Sequence, residues 1–252
     1  MGDALSEVFL NELSLDRHRI QSFDDYPFAL PAVRHLHSLE FHPQVTFFVG
    51  ENGTGKSTLL EALAVVLDLN PEGGSRSYKF STRESHSDLF KFIRVKRGIF
   101  APQDRFFLRA ESLYNLASEI ERLDREAAAS RPIIDSYGGR SLHEQSHGES
   151  FYAVFMNRFG GRGLYLLDEP EAALSPMRQM GLLVIMHDLI AKGSQFVIAT
   201  HSPIILAYPD AWIYGLSEQG IARTAYKDTE HYVITKRFLD SPERMLKILF
   251  DE

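Results

Sequence analysis

The chain has 252 residues, of which 44% are hydrophobic and 24% charged, and its formal net charge is -7 at pH 7. This length suits one large α/β domain or two small ones, and the acidic balance is unlike that of a strongly basic, sequence-independent nucleic-acid binder. The absence of cysteine excludes disulfides, thiolate metal sites and thiol catalysis.

The N-terminal residues and the apolar runs predict where the protein resides. Residues 1–19 lack the basic-then-apolar order of a signal peptide. The longest apolar runs are far shorter than a helix that spans a bilayer. We therefore expect a cytoplasmic protein.

The predicted elements alternate between strands and helices along the chain. Continuous apolar, β-prone runs predict buried strands, and apolar residues at helical spacing predict helices. We predict strands at 45–49, 106–109, 164–167 and 196–199, and helices at 57–68, 112–129, 151–159, 176–192 and 230–250, the last restarted at Ser241-Pro242. We predict loops at 70–87 and 130–148. WIYGL and IARTAY, separated by SEQG, predict a hairpin. This alternation predicts an α/β fold with a mostly parallel sheet.

The stretch GENGTGKST, residues 50–58, lies between a predicted strand and a predicted helix. Glycines let a backbone curl closely around phosphates, and the N-terminus of the following helix favours negative charge. In this Walker A pattern Lys56 would reach the β and γ phosphates, and the Ser57 hydroxyl would hold Mg²⁺. The alternative is a glycine-rich turn that only connects the strand to the helix. The predicted nucleotide-binding residues here are Glu51, Asn52, Gly53, Thr54, Gly55, Lys56, Ser57 and Thr58.

LYLLDEPE and ATHSP supply side chains that a triphosphate site needs next. Asp168 ends a predicted buried strand and can reach a metal ion, while Glu169 can polarise the attacking water. His201 also follows a predicted strand and could donate a hydrogen bond to the γ-phosphate. The alternatives are a surface acidic turn and an ordinary histidine exposed on a loop.

The order of these motifs resembles that of the ATP-binding-cassette (ABC) ATPases. GENGTGKST, SHGES, LYLLDEPE, AALS and ATHSP follow the family's order of Walker A, signature, Walker B, D-loop and H-loop, from about residue 45 to 205. The chain looks like small bacterial AAA family ATPases of ABC type, similar to RecF and SMC-like heads without a coiled coil. The separation of Glu111 from Ser146, 35 residues, is too short for such a coil.

The SHGES segment is a divergent form of the family's LSGGQ signature. Ser146, Gly148 and Glu149 match its serine, second glycine and glutamine, and His147 replaces the first glycine. Without the resemblance, Ser146 and Glu149 predict only the cap of a helix.

Two other family positions are replaced in this chain. The segment FFLRAES resembles the passage into the Q-loop but lacks the glutamine. We prefer Glu111 to Gln103 as its substitute. Ser175 stands where the D-loop aspartate is expected.

The resemblance implies a P-loop NTPase fold of the ABC-type ATPase head. Its parts are a mostly parallel central sheet, antiparallel β elements and a small helical lobe at about residues 112–159, within a single domain over 1–252. It implies that ATP binds with Mg²⁺ and is hydrolysed. The implied catalytic residues are Glu169, His201 and Lys56, the metal-binding residues are Ser57, Asp168 and Glu111, and the further nucleotide contacts are Ser146, Gly148 and Glu149.

The resemblance also implies an ATP-dependent homodimer in which each signature loop grips the nucleotide of the other copy. A membrane subunit is not expected as a partner, because LSGGQ and the Q-loop glutamine of transporter subunits are absent; Tyr26 or Phe28 could stack on adenine as in those subunits. The alternatives are nonetheless a transporter subunit, or an ATP-sensing scaffold that scarcely hydrolyses. The charged helix at 112–129 is a candidate surface for a protein partner or a solvated lid. DNA is compatible with a basic groove formed by Arg94, Lys96, Arg97 and Arg105.

Overall fold

The structure is a computed structural model that describes residues 8–71, 73–74, 87–126 and 132–250, and the backbone alone of His147. Most of the predicted loop at 70–87 and the end of the predicted helix at 112–129 lie outside these residues.

Two sheets organise the described part of the chain. Its strands are β1 (Leu10–Leu15), β2 (Ser38–Glu40), β3 (Val45–Gly50), β4 (Ile93–Arg97), β5 (Asp104–Arg109), β6 (Gly163–Asp168), β7 (Gln195–Ala199), β8 (Trp212–Ser217) and β9 (Gly220–Thr224). Six of these described strands form the central sheet, in the order β5-β6-β7-β3-β8-β9. All neighbours are parallel except the β8–β9 hairpin. The predicted α/β fold with a mostly parallel sheet is confirmed.

The helices of the described residues cover both faces of the central sheet. They are α1 (Pro31–Arg34), α2 (Lys56–Val66), α3 (Leu113–Glu126), α4 (His147–Asn157), α5 (Pro176–Ala191), α6 (Glu230–Asp240) and α7 (Pro242–Leu249). Short 3₁₀ turns occur at Arg17–Arg19, Asp88–Lys91, Ala110–Ser112, Ile133–Tyr137, Leu142–Glu144, Pro170–Ala173, Ile205–Ala207 and Tyr226–Asp228. No helix in these ranges has the length and apolar character needed to cross a membrane.

Residues of each central strand alternate between two hydrophobic cores. On β3, Val45 and Phe47 point to the core beneath α3, α4 and α5, whereas Phe48 joins the core beneath α2 and the second sheet. Burial on both faces explains why β3, β6 and β7 are continuously apolar runs. Each fully buried phenylalanine or leucine stabilises the fold by about 1.5–3 kcal/mol.

The second sheet is antiparallel, in the order β2-β1-β4. The buried Gln195 side chain at the start of β7 connects it to the central sheet. Its Oε1 accepts from the Phe9 and Leu10 backbone amides at 3.1 and 2.9 Å. Its Nε2 donates to the Leu10 and His42 carbonyls at 2.8 and 2.9 Å. One amide thus satisfies four backbone groups that the packed sheets would otherwise leave unpaired.

The structure moves several predicted boundaries. The helix predicted at 151–159 begins at His147, because Ser146 and Glu149 form a reciprocal capping box. The helix predicted from residue 112 begins at Leu113, after a 3₁₀ turn. The helix predicted at 230–250 with a restart at Ser241-Pro242 is two helices, α6 and α7, which meet at Ser241 as predicted. The loop predicted at 130–148 contains two 3₁₀ turns in its described part.

Candidate active site

The glycine loop, residues 50–55, leaves β3 at the carboxyl edge of the sheet and enters α2. Two of its glycines are required by the backbone. Gly50 has φ 149° and an added Cβ would lie 2.2 Å from the Leu216 carbonyl oxygen, and Gly55, which caps α2, has φ 103°. The Thr54 hydroxyl donates to the Glu51 carbonyl at 2.8 Å, and the Thr54 carbonyl accepts from Ala32. The conformation of the loop is therefore fixed by the contact with Ala32 and by the turn between Glu51 and Thr54.

Lys56 folds back over this loop. Its buried Nζ donates to the carbonyls of Gly50 at 2.8 Å and Glu51 at 3.0 Å. Burial lowers the pKa of Lys56, while the charges of Glu169 and Asp168 raise it. An ammonium group is thereby held at the centre of a loop whose helix start favours anions.

Asp168, the last residue of β6, lies opposite the start of α2. The Ser57 hydroxyl donates to Asp168 Oδ1 at 3.0 Å, and Arg109 Nε lies 3.4 Å from Asp168 Oδ2. Burial raises the pKa of Asp168 to about 6, although the Arg109 charge and the Ser57 hydrogen bond lower it. A hydroxyl and a carboxylate side by side are oxygen ligands that suit Mg²⁺, which commonly takes one or two carboxylates together with phosphate and water.

Arg109 connects this pair to other carboxylates and was not predicted from the sequence. It ends β5 in register with Asp168 at the end of β6. Its guanidinium lies 3.5 Å from Glu61 and 3.7 Å from the exposed Glu111. The position directly after the apolar residues FFL was the available signal, because parallel strand ends meet at one edge.

The direction of β5 separates the two candidates for the Q-loop position. Gln103 precedes β5 and is exposed at the far end of the strand. Glu111 follows the strand end and contacts Arg109 at the site. The structure thus brings Glu111, rather than Gln103, to the edge that holds Asp168.

Glu169 and His201 face each other across the same edge. Glu169 adopts a left-handed backbone, with φ 49° and ψ 53°, and its amide donates to the Ala199 carbonyl at 2.9 Å. Its Oε1 lies 3.4 Å from His201 Nε2. Such a conformation costs about 1–3 kcal/mol in a residue with a side chain and occurs where a site must aim it.

Glu171 and His231 hold His201, and neither was predicted from the sequence as a site residue. The partly buried carboxylate of Glu171 accepts from the Thr200 hydroxyl at 2.7 Å and from the His201 amide. Burial raises the pKa of Glu171, although both hydrogen bonds lower it. The His231 ring, on α6, lies with Nε2 2.7 Å from His201 Nδ1. Glu171 stands in the predicted DEPE motif, whereas no signal in the sequence connects His231 to His201.

The Ser146 segment lies at the start of α4. The exposed Ser146 hydroxyl donates to Glu149 Oε2 at 2.7 Å and accepts from the Glu149 amide. The Ser146 hydroxyl and the Ser146 amide both donate to Glu149 Oε2, and these two bonds lower the pKa of Glu149. A Cβ on Gly148 would lie 2.8 Å from both the Ala173 carbonyl and Arg178 Nη1. The segment therefore packs against the chain that follows β6, where Ser175 caps α5.

The two candidates for adenine stacking have different environments. Phe28 is partly buried, and its ring contacts Phe92 edge-on at a centroid distance of 4.9 Å. Tyr26 is 66% exposed. Only Tyr26 of these two presents a free ring face to an incoming ligand.

The described residues contain no cluster of three or more His, Cys, Asp or Glu side chains placed to hold a metal ion. In proteins, Mg²⁺ commonly takes only one or two side-chain oxygens and completes its ligands with phosphate and water, so the Ser57 and Asp168 oxygens are compatible with such a site.

Two family models match the chain, one on each half of this geometry. A model described as "AAA domain" matches residues 19–99. A model described as "AAA domain, putative AbiEii toxin, Type IV TA system" matches residues 136–207. The first range contains the glycine loop and Ser57, and the second contains Asp168, Glu169 and His201.

Curated relatives match with lower identity. The cobalt import ATP-binding protein CbiO of Salmonella typhimurium is 27% identical over 168 residues, which cover 62% of this chain and 61% of CbiO. The energy-coupling factor transporter ATP-binding protein EcfA of Methanothermobacter thermautotrophicus is 26% identical over 193 residues, 72% of this chain and 61% of EcfA. ABC transporter G family member STR2 of Medicago truncatula is 26% identical over 172 residues, 63% of this chain. The chain spans 61% of the length of CbiO and EcfA and 24% of that of STR2.

Solved structures of similar trace include the SMC head domain of Thermotoga maritima, with TM-score 0.47 and 13% identity over 86% of this chain and 99% of that one. They also include cbiO1 of Clostridium perfringens, with TM-score 0.45 and 18% identity over 97% of this chain and 100% of that one.

A site for a nucleoside triphosphate and its metal ion needs both a phosphate-binding loop with a lysine and a carboxylate opposite that loop. The fold brings the two halves together at the carboxyl edge of β3 and β6. Family models described as AAA domains match both halves of this geometry, so the chain is similar to AAA-domain proteins in the glycine loop and at the end of β6 alike.

Proposed function

We propose that the chain binds ATP with Mg²⁺ and hydrolyses it, acting as a nucleotide-driven switch whose closed state is a head-to-tail homodimer. The observation that carries this proposal is the Ser57–Asp168 hydrogen bond of 3.0 Å, which joins the glycine loop to the end of β6. It supports one composite site built from two distant parts of the sequence.

In this proposal the glycine loop and Lys56 bind the phosphates. The Lys56 ammonium exchanges its present partners, the carbonyls of Gly50 and Glu51, for phosphate oxygens. Mg²⁺, when bound, would supply positive charge to the phosphates, with the Ser57 hydroxyl and Asp168 as its protein ligands and Glu111 close by. Backbone amides of residues 51–58 complete the anion-binding surface.

Glu169 is assigned as the general base. Its left-handed backbone places its carboxylate 3.4 Å from His201 Nε2, where it accepts the proton of the attacking water. His201 Nε2, 3.4 Å from Glu169, donates to the terminal phosphate in this assignment. Glu171 holds the backbone of His201 in place.

Ser146, Gly148 and Glu149 are assigned to the nucleotide of the other copy. The exposure of Ser146 at the N-terminus of α4 supports this assignment, since a helix N-terminus favours a phosphate. The Ser146 hydroxyl would exchange its bond to Glu149 for a phosphate oxygen. Two copies joined in this way share two nucleotides, and loss of the γ-phosphate removes contacts from both sides.

The test compares Glu169→Gln with the control Glu218→Gln, which changes an exposed glutamate in the β8–β9 turn. We expect Glu169→Gln to lower phosphate release by about 100-fold or more and to sediment as a dimer with ATP and Mg²⁺. The control should behave as wild type. Phosphate release per chain that stays constant on dilution, together with a monomeric Glu169→Gln protein, would contradict the switch.

A mixing experiment tests the assignment in trans. Lys56→Ala and Ser146→Arg should each be inactive. A mixed dimer keeps one intact site, formed by Lys56 of one copy and Ser146 of the other, so an equal mixture should recover about a quarter of wild-type activity if pairing is random. Absence of any recovery would place Ser146 outside the site.

A second candidate function is the ATP-binding subunit of a transporter. The names of CbiO and EcfA support it, since both are transport ATP-binding proteins, and the expectation against a membrane subunit has no support from these comparisons. Co-purification with a membrane protein from native membranes would favour this function. An ATP-sensing scaffold is the third candidate, and measurable phosphate release would exclude it.

DNA binding stays a hypothesis, and three of the four basic residues on which it depends already have partners in the protein. Arg97 and Arg105 donate to the Val66 and Leu67 carbonyls at the end of α2, which is a helix-capping role. Arg94 is paired with Asp16 at 2.6 Å. Addition of duplex DNA to the Glu169→Gln dimer tests whether these side chains contribute to a groove.

A further inference from the structure

We propose that His231, on α6, is a positioning residue that fixes His201 as the tautomer with its proton on Nε2. The proposal deepens the proposed function and rests on it in one respect, the assignment of His201 Nε2 to the terminal phosphate. It adds a residue that neither the motifs nor the family models contain, since His231 lies beyond residue 207.

The geometry between the two rings is that of a hydrogen bond. His201 Nδ1 and His231 Nε2 are 2.7 Å apart, and the rings are tilted by 59°. His231 is held in the first turn of α6, whose cap is the buried Thr229. The Thr229 hydroxyl donates to the Tyr226 carbonyl at 2.7 Å, which fixes the start of the helix.

Burial lowers the pKa of His201 and His231, and the charge of Lys56 lowers both further, which favours neutral rings at neutral pH. The charges of Glu169 and Glu230 oppose this by raising the pKa of His201 and of His231 respectively. A neutral imidazole carries a single N–H, so the tautomer of one ring determines whether its other nitrogen can donate.

Counting protons leaves one consistent arrangement. If His201 Nδ1 donated to His231, the bare lone pair of His201 Nε2 would face Glu169 Oε1 at 3.4 Å. If His231 Nε2 donates instead, His201 carries its proton on Nε2, directed toward that carboxylate. The second arrangement replaces a repulsion by an attraction, and it is the only one in which His201 can donate to a phosphate oxygen.

His201 Nε2 and His231 Nδ1 have no hydrogen-bond partner among the described residues and are shielded from solvent. In this arrangement His231 Nδ1 is a bare acceptor, whereas the opposite arrangement would leave a buried N–H on His231 without an acceptor. The N–H on His201 Nε2 has Glu169 Oε1 3.4 Å away and is available to a ligand that reaches it. Glu171 fixes the backbone of His201 from the other side, which leaves ring orientation and tautomer to His231.

The pairing connects the nucleotide site to the C-terminal helices. A movement of α6 that separates His231 from His201 would remove the hydrogen bond that fixes the tautomer of His201. His201 Nε2 would then carry a proton in only part of the molecules, so the position of α6 would affect hydrogen bonding at the nucleotide site.

The first test measures the tautomer directly. We expect ¹⁵N–¹H correlation spectra of the nucleotide-free protein, assigned with His201→Gln and His231→Gln, to show a protonated Nε2 on His201 at pH 7.5. A protonated Nδ1 on His201 would overturn the proposal. This readout requires no ATP hydrolysis, so it distinguishes failure of the inference from failure of the proposed function.

The second test uses a donor-keeping and a donor-less variant. His231→Gln retains an N–H near the position of Nε2, whereas His231→Leu does not. We expect His231→Leu to lower kcat about tenfold, which corresponds to about 1.4 kcal/mol of one hydrogen bond, with nucleotide affinity unchanged. We expect His231→Gln to stay within about twofold of wild type, and His231→Leu to add nothing further in a His201→Ala background.

The matched control is His187, an exposed histidine on α5. His187→Leu and His187→Gln should both retain wild-type kcat. Equal losses in His231→Leu and His231→Gln would indicate a packing role and overturn the proposal. Unchanged kcat in His231→Leu would overturn it as well.

Discussion

Replacing Asp168 by asparagine should stabilise the nucleotide-free protein at neutral pH. Burial raises the pKa of Asp168 from 3.8 to about 6. Because this carboxyl ionises more readily in the unfolded chain, stability falls as pH rises from about 4 to about 6, and the full cost is present above that range. About two pKa units at 1.36 kcal/mol each give about 3 kcal/mol. Asparagine resembles the protonated carboxyl and avoids this cost.

Thermal unfolding in EDTA between pH 4 and pH 8 measures the effect. About 3 kcal/mol corresponds to about 6–12 °C in the midpoint for a chain of this size. The gain should be small at pH 4 and constant above about pH 6.5. With Mg²⁺ and ATP the order should reverse, because the variant lacks a metal ligand.

The matched control is Asp188→Asn, which changes an exposed aspartate on α5 and should leave the midpoint unchanged. An Asp168→Asn protein that melts at or below wild type at pH 7.5 would refute the reasoning. A gain of equal size at pH 4 and pH 7.5 would refute it too, because the effect would then not arise from ionisation.

Two further predictions concern buried hydrogen bonds. Glu171→Leu leaves the Thr200 hydroxyl and the His201 amide without their acceptor, so it should lower the free energy of unfolding by about 2–4 kcal/mol and lower phosphate release. Glu171→Gln should have a mild effect on both. Urea unfolding and phosphate-release assays measure these effects, and equal effects of the two variants would contradict the assignment. Gln195→Leu removes four hydrogen bonds between the sheets and should cost about 3–5 kcal/mol, measured by urea unfolding beside Gln219→Leu, an exposed control.

The central sheet was predictable because its middle strands are buried on both faces. A continuous apolar run such as VTFFV in β3 indicates that environment without knowledge of the neighbours. The antiparallel sheet gives no comparable signal. β2 has three residues, and β4 carries exposed charges at Arg94, Lys96 and Arg97. These segments become strands through pairing with β1, which local pattern does not encode.

The candidate site divides in the same way. Lys56, Ser57, Asp168 and Glu169 could be found because the chemistry requires these residue types directly after a strand or within a glycine loop. Arg109 acts through its register with Asp168, which depends on the order of strands in the sheet. Register and strand order are tertiary properties, so a motif search does not find such residues.

The nucleotide-free site concentrates charge that its own residues neutralise only in part. Asp168 is ionised against its burial with Arg109 as its charged neighbour, and Lys56 is bonded to neutral carbonyls. A metal ion beside Asp168 and a phosphate beside Lys56 would each supply the missing opposite charge. Mg²⁺ and ATP would therefore stabilise the nucleotide-bound state relative to the nucleotide-free state. A two-state switch requires such a difference in free energy. The stability gain expected of Asp168→Asn in EDTA measures the cost of the buried carboxylate in the nucleotide-free protein. The loss expected with Mg²⁺ and ATP measures what the same carboxylate contributes when the ligands are bound.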